Sequence, residues 1–347
     1  MLASWLRSQL MSADLYVASS EAVQNVWRKV QLFSIGVLHF LFSSDKRWPK
    51  LPSSSATAVA PSSSSAVSPR TALQYGSDAL KTRKKRVLFV RHAESEWNVV
   101  FNRGVWWLAV VNFVRAVARE WLMLPTFDSI FIDSPLSRRG ISQAKALHED
   151  VSEKASPPEY IGSPPKHLLR YLSCPLPGSM VVASNLRRAI DTARIVSSSR
   201  LELPGERIHI ISYLQEVGRN IDTLAISEAY GVPPRSLQNV IRDEKRHDEL
   251  FNVSESHGNK AILGCARARL IAFARWACSQ REDVLVVYGH SHWFRAFCQD
   301  FLPSHVEHPA KVEKLENCAV VTFELEERRT DGLNQYVIPP ASFEYIR

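Results

Sequence analysis

The stretch Val87-Leu88-Phe89-Val90-Arg91-His92-Ala93-Glu94-Ser95-Glu96-Trp97-Asn98 decides how this chain is read. Its apolar run is short, partly β-branched or aromatic, and preceded by the charged block Lys84-Lys85-Arg86, a pattern that predicts a central parallel strand rather than a helix. In open α/β sheets ligands sit outside the carboxyl ends of strands, where strand order reverses. Arg91 and His92 therefore fall where a site is expected. Arginine contributes a planar fork of donors and histidine an imidazole that titrates near neutrality. Ser95 and Asn98 add further polar groups, and the set suits a phosphoryl group.

Around this stretch, the 347 residues are 45% hydrophobic, enough for a sizeable core. The net charge of +8 is unevenly spread: residues 1–86 hold 12 Lys and Arg against 4 Asp and Glu, and the rest of the chain is balanced at 31 of each. Basicity is a property of the N-terminal extension, so no nucleic-acid partner is expected for the globular part. Five cysteines, Cys174, Cys265, Cys278, Cys298 and Cys318, are widely spaced without a C-x-x-C pair, which predicts reduced thiols and an intracellular, cytoplasmic protein.

Residues 1–50 form an extension in which Val23, Val26, Trp27, Val30, Phe33, Val37, Phe40 and Leu41 recur at helical spacing, predicting an amphipathic helix. Its most apolar part, Val30 to Phe42, is too short to span a bilayer. Packing on the domain, peripheral membrane contact and organellar targeting remain open for it, the first two ahead of targeting. Residues 51–80, rich in Ser, Pro and Ala, are expected to be a disordered linker, and residues 81–347 a single domain.

Within that domain, Trp107, Val110, Val114, Val117 and Trp121 share one helical side, which predicts a helix facing the core. Asp133-Ser134-Pro135-Leu136-Ser137-Arg138-Arg139-Gly140 leads into Ile141-Ser142-Gln143-Ala144 and a helix to about Val151. Three more strands end in chemistry. Met180 to Ala183 runs into Ser184-Asn185-Leu186-Arg187-Arg188-Ala189-Ile190-Asp191-Thr192-Ala193, with Ser184 read as the N-cap of an anion-attracting helix end. Ile208 to Ile211 leads to Leu214-Gln215-Glu216, and Val284 to Tyr288 is closed by Gly289-His290-Ser291-His292. A helical pattern through Leu263, Ala266, Leu270, Phe273 and Trp276, and a further strand from Val320 to Phe323, complete the outline.

These segments resemble, in order and spacing, the signature of the histidine phosphatase superfamily, the phosphoglycerate-mutase-like enzymes. Arg91-His92-Ala93 matches the family's Arg-His-Gly opening, with Ala in place of Gly; the Asp133 segment matches Asp-x-x-Leu-Thr-x-x-Gly-x-x-Gln-Ala. The Ser184 segment resembles Ser-x-Leu-x-Arg-Ala-x-x-Thr-Ala, a register that selects Arg188 and leaves Arg187 as a surface charge or a residue behind the site. Leu214-Gln215-Glu216 is similar to the element that carries the family's proton donor, and Gly289-His290 to its closing histidine element; His292 has no family match and is expected on the surface or in packing.

The resemblance spans about Arg86 to Phe323. It implies an α/β three-layer sandwich with a mostly parallel central sheet flanked by helices. It also implies hydrolysis of a phosphate monoester through a phosphohistidine on His92, with Glu216 as proton donor and Arg91, Arg188 and His290 in the catalytic set. Arg91, Ser95, Asn98, Arg188 and His290 would bind the substrate, a phosphorylated small molecule or protein, with no metal and no cofactor. Two alternatives stand beside it. One is a phosphoglycerate mutase, although Val217-Gly218-Arg219 follows Glu216 where mutases typically show Arg-His-Tyr-Gly; the other is a phosphate-recognition protein without turnover.

Overall fold

In the computed structural model, which describes residues 2–45, 83–101, 106–154, 166–234, 249–330 and 333–347, Val87 to Val90 form the centre of strand β1 (Arg83–Arg91). Both of its faces are buried. Val87 and Phe89 point into one hydrophobic cluster, Leu88 and Val90 into another, as the period of two requires for a strand with a layer on each side.

The cluster on one side is built with helices α8 (Ala266–Ser279) and α9 (Ser291–Phe301). On the other lie α4 (Arg138–Lys154), α5 (Arg170–Ser173) and α6 (Arg187–Val196), followed by the short α7 (Ser198–Leu201). Three layers result. The remaining strands are β2 (Ser179–Ser184), β3 (Ile208–Ile211), β4 (Phe251–Asn252), β5 (Val284–Gly289), β6 (Val320–Thr330), β7 (Leu333–Val337) and β8 (Glu344–Tyr345). Their order is β4-β3-β2-β5-β1-β6-β7, with β8 also on β6. The pairs from β4 through β1 are parallel, and those made by β6 are antiparallel, so the sheet is mostly parallel as expected.

Strand order places the chemistry. The chain passes from β1 to β2, continues outward to β3 and β4, then returns so that β5 inserts between β2 and β1. Register pairs Arg91 with Gly289 and Ala183 with Tyr288, so the carboxyl ends of β1, β5 and β2 are neighbours. This is the reversal of strand order at which an α/β sheet opens a crevice.

Three expectations change. Helix α6 begins at Arg187, three residues after Ser184, with Leu186 at its N-cap position and no side-chain cap of its own. Asp133 takes that role from across the fold, its Oδ1 accepting from Arg187 N at 2.8 Å. The predicted core helix α3 (Trp106–Leu122) is turned the other way: Trp107, Val110, Val114 and Trp121 are exposed, and its inner side carries Ala116. The amphipathic extension is a much longer helix, α1 (Leu2–Phe42), and it also buries the side opposite to its apolar stripe. Leu32 of α1 packs with Ile132 and Ile226, so the helix sits on the domain. The expected linker, the stretch 155–165 and most of the charged stretch 242–249 lie outside the described residues.

Candidate active site

The opening motif leaves the sheet at Arg91 and is held by the loop before α4. Glu94 O accepts from Ser137 N at 2.9 Å, Glu94 Oε2 accepts from Ser137 Oγ at 2.8 Å, and Glu94 N donates to Gln143 Oε1 at 3.0 Å. Gly140 lies flat against this buckle: a Cβ there would stand 2.0 Å from Glu94 O. Ser137 Oγ also accepts from Gly140 N at 3.0 Å, capping α4. The spacing of Ser137, Gly140 and Gln143 therefore serves to hold the histidine loop.

Ala93 needs no glycine. Its φ is negative, the positive-φ non-glycine residues being Asp133, Tyr230 and Cys318 among those described. Its methyl group is buried in the core, and its N–H donates to Thr192 Oγ1 at 3.1 Å.

His92 Nδ1 lies 2.6 Å from Ala93 O. A carbonyl oxygen only accepts, so Nδ1 carries the proton and Nε2 keeps its lone pair. The ring stands 5.1 Å, centroid to centroid, from His290, the residue that precedes α9. Burial, then the charges of Arg188 and Arg91, hold the His92 pKa well below 6.5. Burial and the Arg188 charge do the same for His290, and neither of its ring nitrogens has a hydrogen-bond partner among the described residues.

Arg91, His92, Asn98, Arg188 and Glu216 line one cavity of about 130 Å³, a volume suited to a phosphoryl group. Arg91 is buried, which pushes its pKa down to about 10, and one of its amino groups donates to Leu315 O. Arg188 Nη1 donates to Asp222 O at 2.8 Å, and its Nη2 lies 3.6 Å from Asp222 Oδ2. Glu216 Oε1 accepts from Val217 N and from Trp293 N, each at 2.9 Å, so the carboxylate sits on the amino end of α9. His290 packs beside His92 and is not among the residues that line this cavity.

Ser95 is placed differently. It is buried, and its Oγ accepts from Asn98 N at 3.4 Å, which caps α2 (Glu96–Phe101); it does not line the cavity. Of the two alternatives for Arg187, the surface charge is ruled out: fully buried, it binds Asp128 Oδ1 at 2.5 Å and the carbonyls of Asp133 and Ser129 at 3.0 Å each. Two carboxylates drawn from distant sequence neutralise it. His292, expected on the surface or in packing, is a half-buried residue of the cavity wall, because α9 turns its first residues toward the site.

Asp222, Asn220 and Lys314 also line the cavity, and no local pattern marks them. Burial pushes the Asp222 pKa up to about 6, Arg188 working against it and Glu216 with it. Behind Glu216 lies a second layer. Lys260 Nζ donates to Glu216 O at 2.8 Å, to Gly218 O at 2.6 Å and to Asp45 Oδ2 at 3.0 Å, tying the acid loop to the residue that follows α1.

Among known families, the model of the histidine phosphatase superfamily (branch 1) matches residues 166–335. That span contains Arg188, Glu216 and His290, and the fold adds Arg91 and His92 from upstream to the same cavity. Residues 166–335 are thus a histidine phosphatase superfamily (branch 1) segment. The mostly parallel sheet carries helices on both faces, the three-layer α/β arrangement expected from the resemblance.

Similar solved structures include a mycobacterial glucosyl-3-phosphoglycerate phosphatase in complex with VO3, at 16% identity over 74% of this chain and 97% of that one, with a TM-score of 0.35. Another is the ecdysone phosphate phosphatase of Bombix mori in complex with tungstate, at 14% identity over 74% of this chain and 93% of that one, also at 0.35. Comparison with curated protein sequences gives no match.

Proposed function

We propose that this chain is a histidine phosphatase superfamily phosphomonoesterase that works through a phosphohistidine on His92. The observation that carries the reading is the His92 ring itself. Its Nδ1 proton is committed to Ala93 O, its charge is suppressed by burial and two guanidinium groups, and it opens on a cavity lined by those same cations.

In the first step Nε2 attacks phosphorus in line with the leaving oxygen. The P–N bond forms as the P–O bond breaks, and the Glu216 carboxyl gives its proton to the departing alkoxide. Arg91 and Arg188 neutralise the equatorial oxygens, and Asn98 and His290 N–H groups complete the set of donors. In the second step the Glu216 carboxylate takes a proton from water as the water oxygen attacks phosphorus. The P–N bond breaks, and inorganic phosphate and neutral His92 are released.

Two features support these roles. The ring nitrogens of His290 have no hydrogen-bond partner among the described residues, and a dianion beside His290 would raise its pKa and make it a double donor. Asp222 fixes Arg188 from behind, so the guanidinium is held in place before substrate arrives.

Purified protein should hydrolyse an aryl phosphate, and rapid acid quench should trap 32P on His92. His92→Ala should lower turnover by roughly 10⁴-fold or more. Undiminished hydrolysis in that variant would overturn the mechanism. Transfer between the positions of phosphoglycerate faster than release of phosphate would replace hydrolase by mutase.

A further inference from the structure

Helix α1 is inside out. Its buried positions are Lys29, Leu32, Gly36 and His39, spaced by three and four residues, and with Ser43 just past its end they form one stripe toward the domain. That stripe is mostly polar, and Lys29 and His39 each find a partner in the domain. Lys29 Nζ donates to Met123 O at 2.6 Å, and His39 Nε2 bonds with Lys260 O at 3.1 Å. The opposite stripe carries Val23, Trp27, Val30, Val37 and Leu41, with Phe33 and Phe40 along its edge, and all are exposed; Trp27 is at 66%.

Helix α3 repeats the inversion. Its inner side is small or polar: Ala116 packs on Val100 and Ile130, Asn112 Nδ2 donates to Val99 O, and Glu120 Oε2 accepts from Ile130 N. Its outer side presents Trp107, Val110, Val111, Val114, Trp121 and Leu122, with Trp121 at 70% exposure. The two helices meet where Lys29 approaches Glu120 at 3.7 Å and Asn25 Nδ2 donates to Pro125 O at 3.1 Å.

An apolar surface of this extent on two independent helices is not the ordinary scatter of exposed side chains, and it needs an occupant. Charge says which. The excess of eight positive charges resides in residues 46–86, which follow α1 directly in sequence and hold nine Lys and Arg against one Asp, whereas residues 1–45 are balanced at three of each. The remainder of the chain is balanced. Tryptophan and phenylalanine on an exposed helix face, followed in sequence by a basic stretch that opens with Lys46, Arg47 and Lys50, match the interfacial region of an anionic bilayer. With 41 residues α1 is about 60 Å long. No helix among the described residues is long and apolar enough to cross a membrane, so the contact is one of lying on the surface. We propose that the exposed faces of α1 and α3 dock the protein on an anionic lipid surface.

The full chain is mixed with vesicles of phosphatidylcholine alone and with vesicles carrying about 30% phosphatidylserine, and the fraction sedimenting with lipid is measured. The protein should bind the anionic vesicles, bind the neutral ones roughly tenfold or more weakly, and come off in high salt. Trp27→Glu with Phe33→Glu, and separately Val114→Glu with Trp121→Glu, should each weaken binding by roughly a hundredfold or more. Because these side chains face outward, thermal unfolding and hydrolysis of a soluble aryl phosphate should be unchanged. Absence of binding to anionic vesicles overturns the proposal, as does undiminished binding by both double variants. A dimer in sedimentation equilibrium that Trp27→Glu with Phe33→Glu makes monomeric also overturns it, because a second copy then covers the face.

Discussion

Replacing Asp45 by alanine removes the anion at the centre of a buried knot. Its carboxylate is 1% exposed and accepts from Arg269 Nη1 at 2.6 Å and Nη2 at 3.2 Å, from Lys260 Nζ at 3.0 Å and from Gly218 N at 3.0 Å. Burial pushes the Asp45 pKa up, but the Arg269 hydrogen bond and the Lys260 charge outweigh it and bring the group below 3.8. The substitution leaves Lys260 buried without that partner, a change that typically costs about 3–5 kcal/mol of stability. It also frees the loop that carries Glu216, since Lys260 and Arg269 hold the carbonyls of Gln215, Glu216 and Gly218.

A shift of about 1 Å in a catalytic group can cost roughly a hundredfold in rate. The expected result is a protein that is less stable in urea and has a kcat reduced by roughly ten- to a hundredfold. Leaving-group dependence separates this effect from simple loss of folded protein. An alkyl phosphate needs its leaving oxygen protonated far more than a nitrophenyl phosphate does, so kcat should fall more for the alkyl ester. Equal losses for the two substrates, or full activity in a destabilised protein, would refute the idea that this knot positions the acid.

Asp222→Asn bears on the cost of the site. The folded pKa of Asp222, about 6, lies above the usual 3.8, so its ionisation opposes folding increasingly as pH rises through that interval. The neutral variant should be more stable at pH 7 by up to about 3 kcal/mol in denaturant titration, and it should bind phosphate more weakly as Arg188 loosens. The pH profile of kcat/KM tests His92: protonation abolishes nucleophilicity and its pKa is depressed, so the limb due to this group should lie below pH 6.5. Nucleophile loss at or above that pH would contradict the assignment. Gly140→Ala should cost roughly 2–4 kcal/mol and depress activity, because its methyl group would displace Glu94 and the loop behind His92. Unchanged unfolding and turnover would show that the buckle is dispensable.

What could be read locally was the short, continuous apolar run of β1, β2 and β5 and the chemistry that follows each strand. Those patterns indicated a parallel α/β sheet with Arg91 and His92 at a strand end, and the resemblance to the superfamily supplied the three-layer fold and selected Arg188, Glu216 and His290. Ala93 posed a local question that only its backbone conformation could answer.

The remainder depended on partners far apart in the chain. Arg187 and Arg188 are adjacent arginines, yet one meets Asp128 and Asp133 inside the protein and the other enters the cavity, a distinction set by the helix start that Asp133 imposes. Asp222, Lys260 and Asp45 carry no recognisable spacing, because their roles come from converging on the Glu216 and Arg188 loops. Periodicity showed that α1 and α3 are amphipathic but was silent on which side faces inward. Amphipathicity is a property of one helix, whereas burial depends on what the rest of the fold offers. Here the fold offers carbonyls and carboxylates to Lys29, His39 and Asn112, and the apolar stripes face outward.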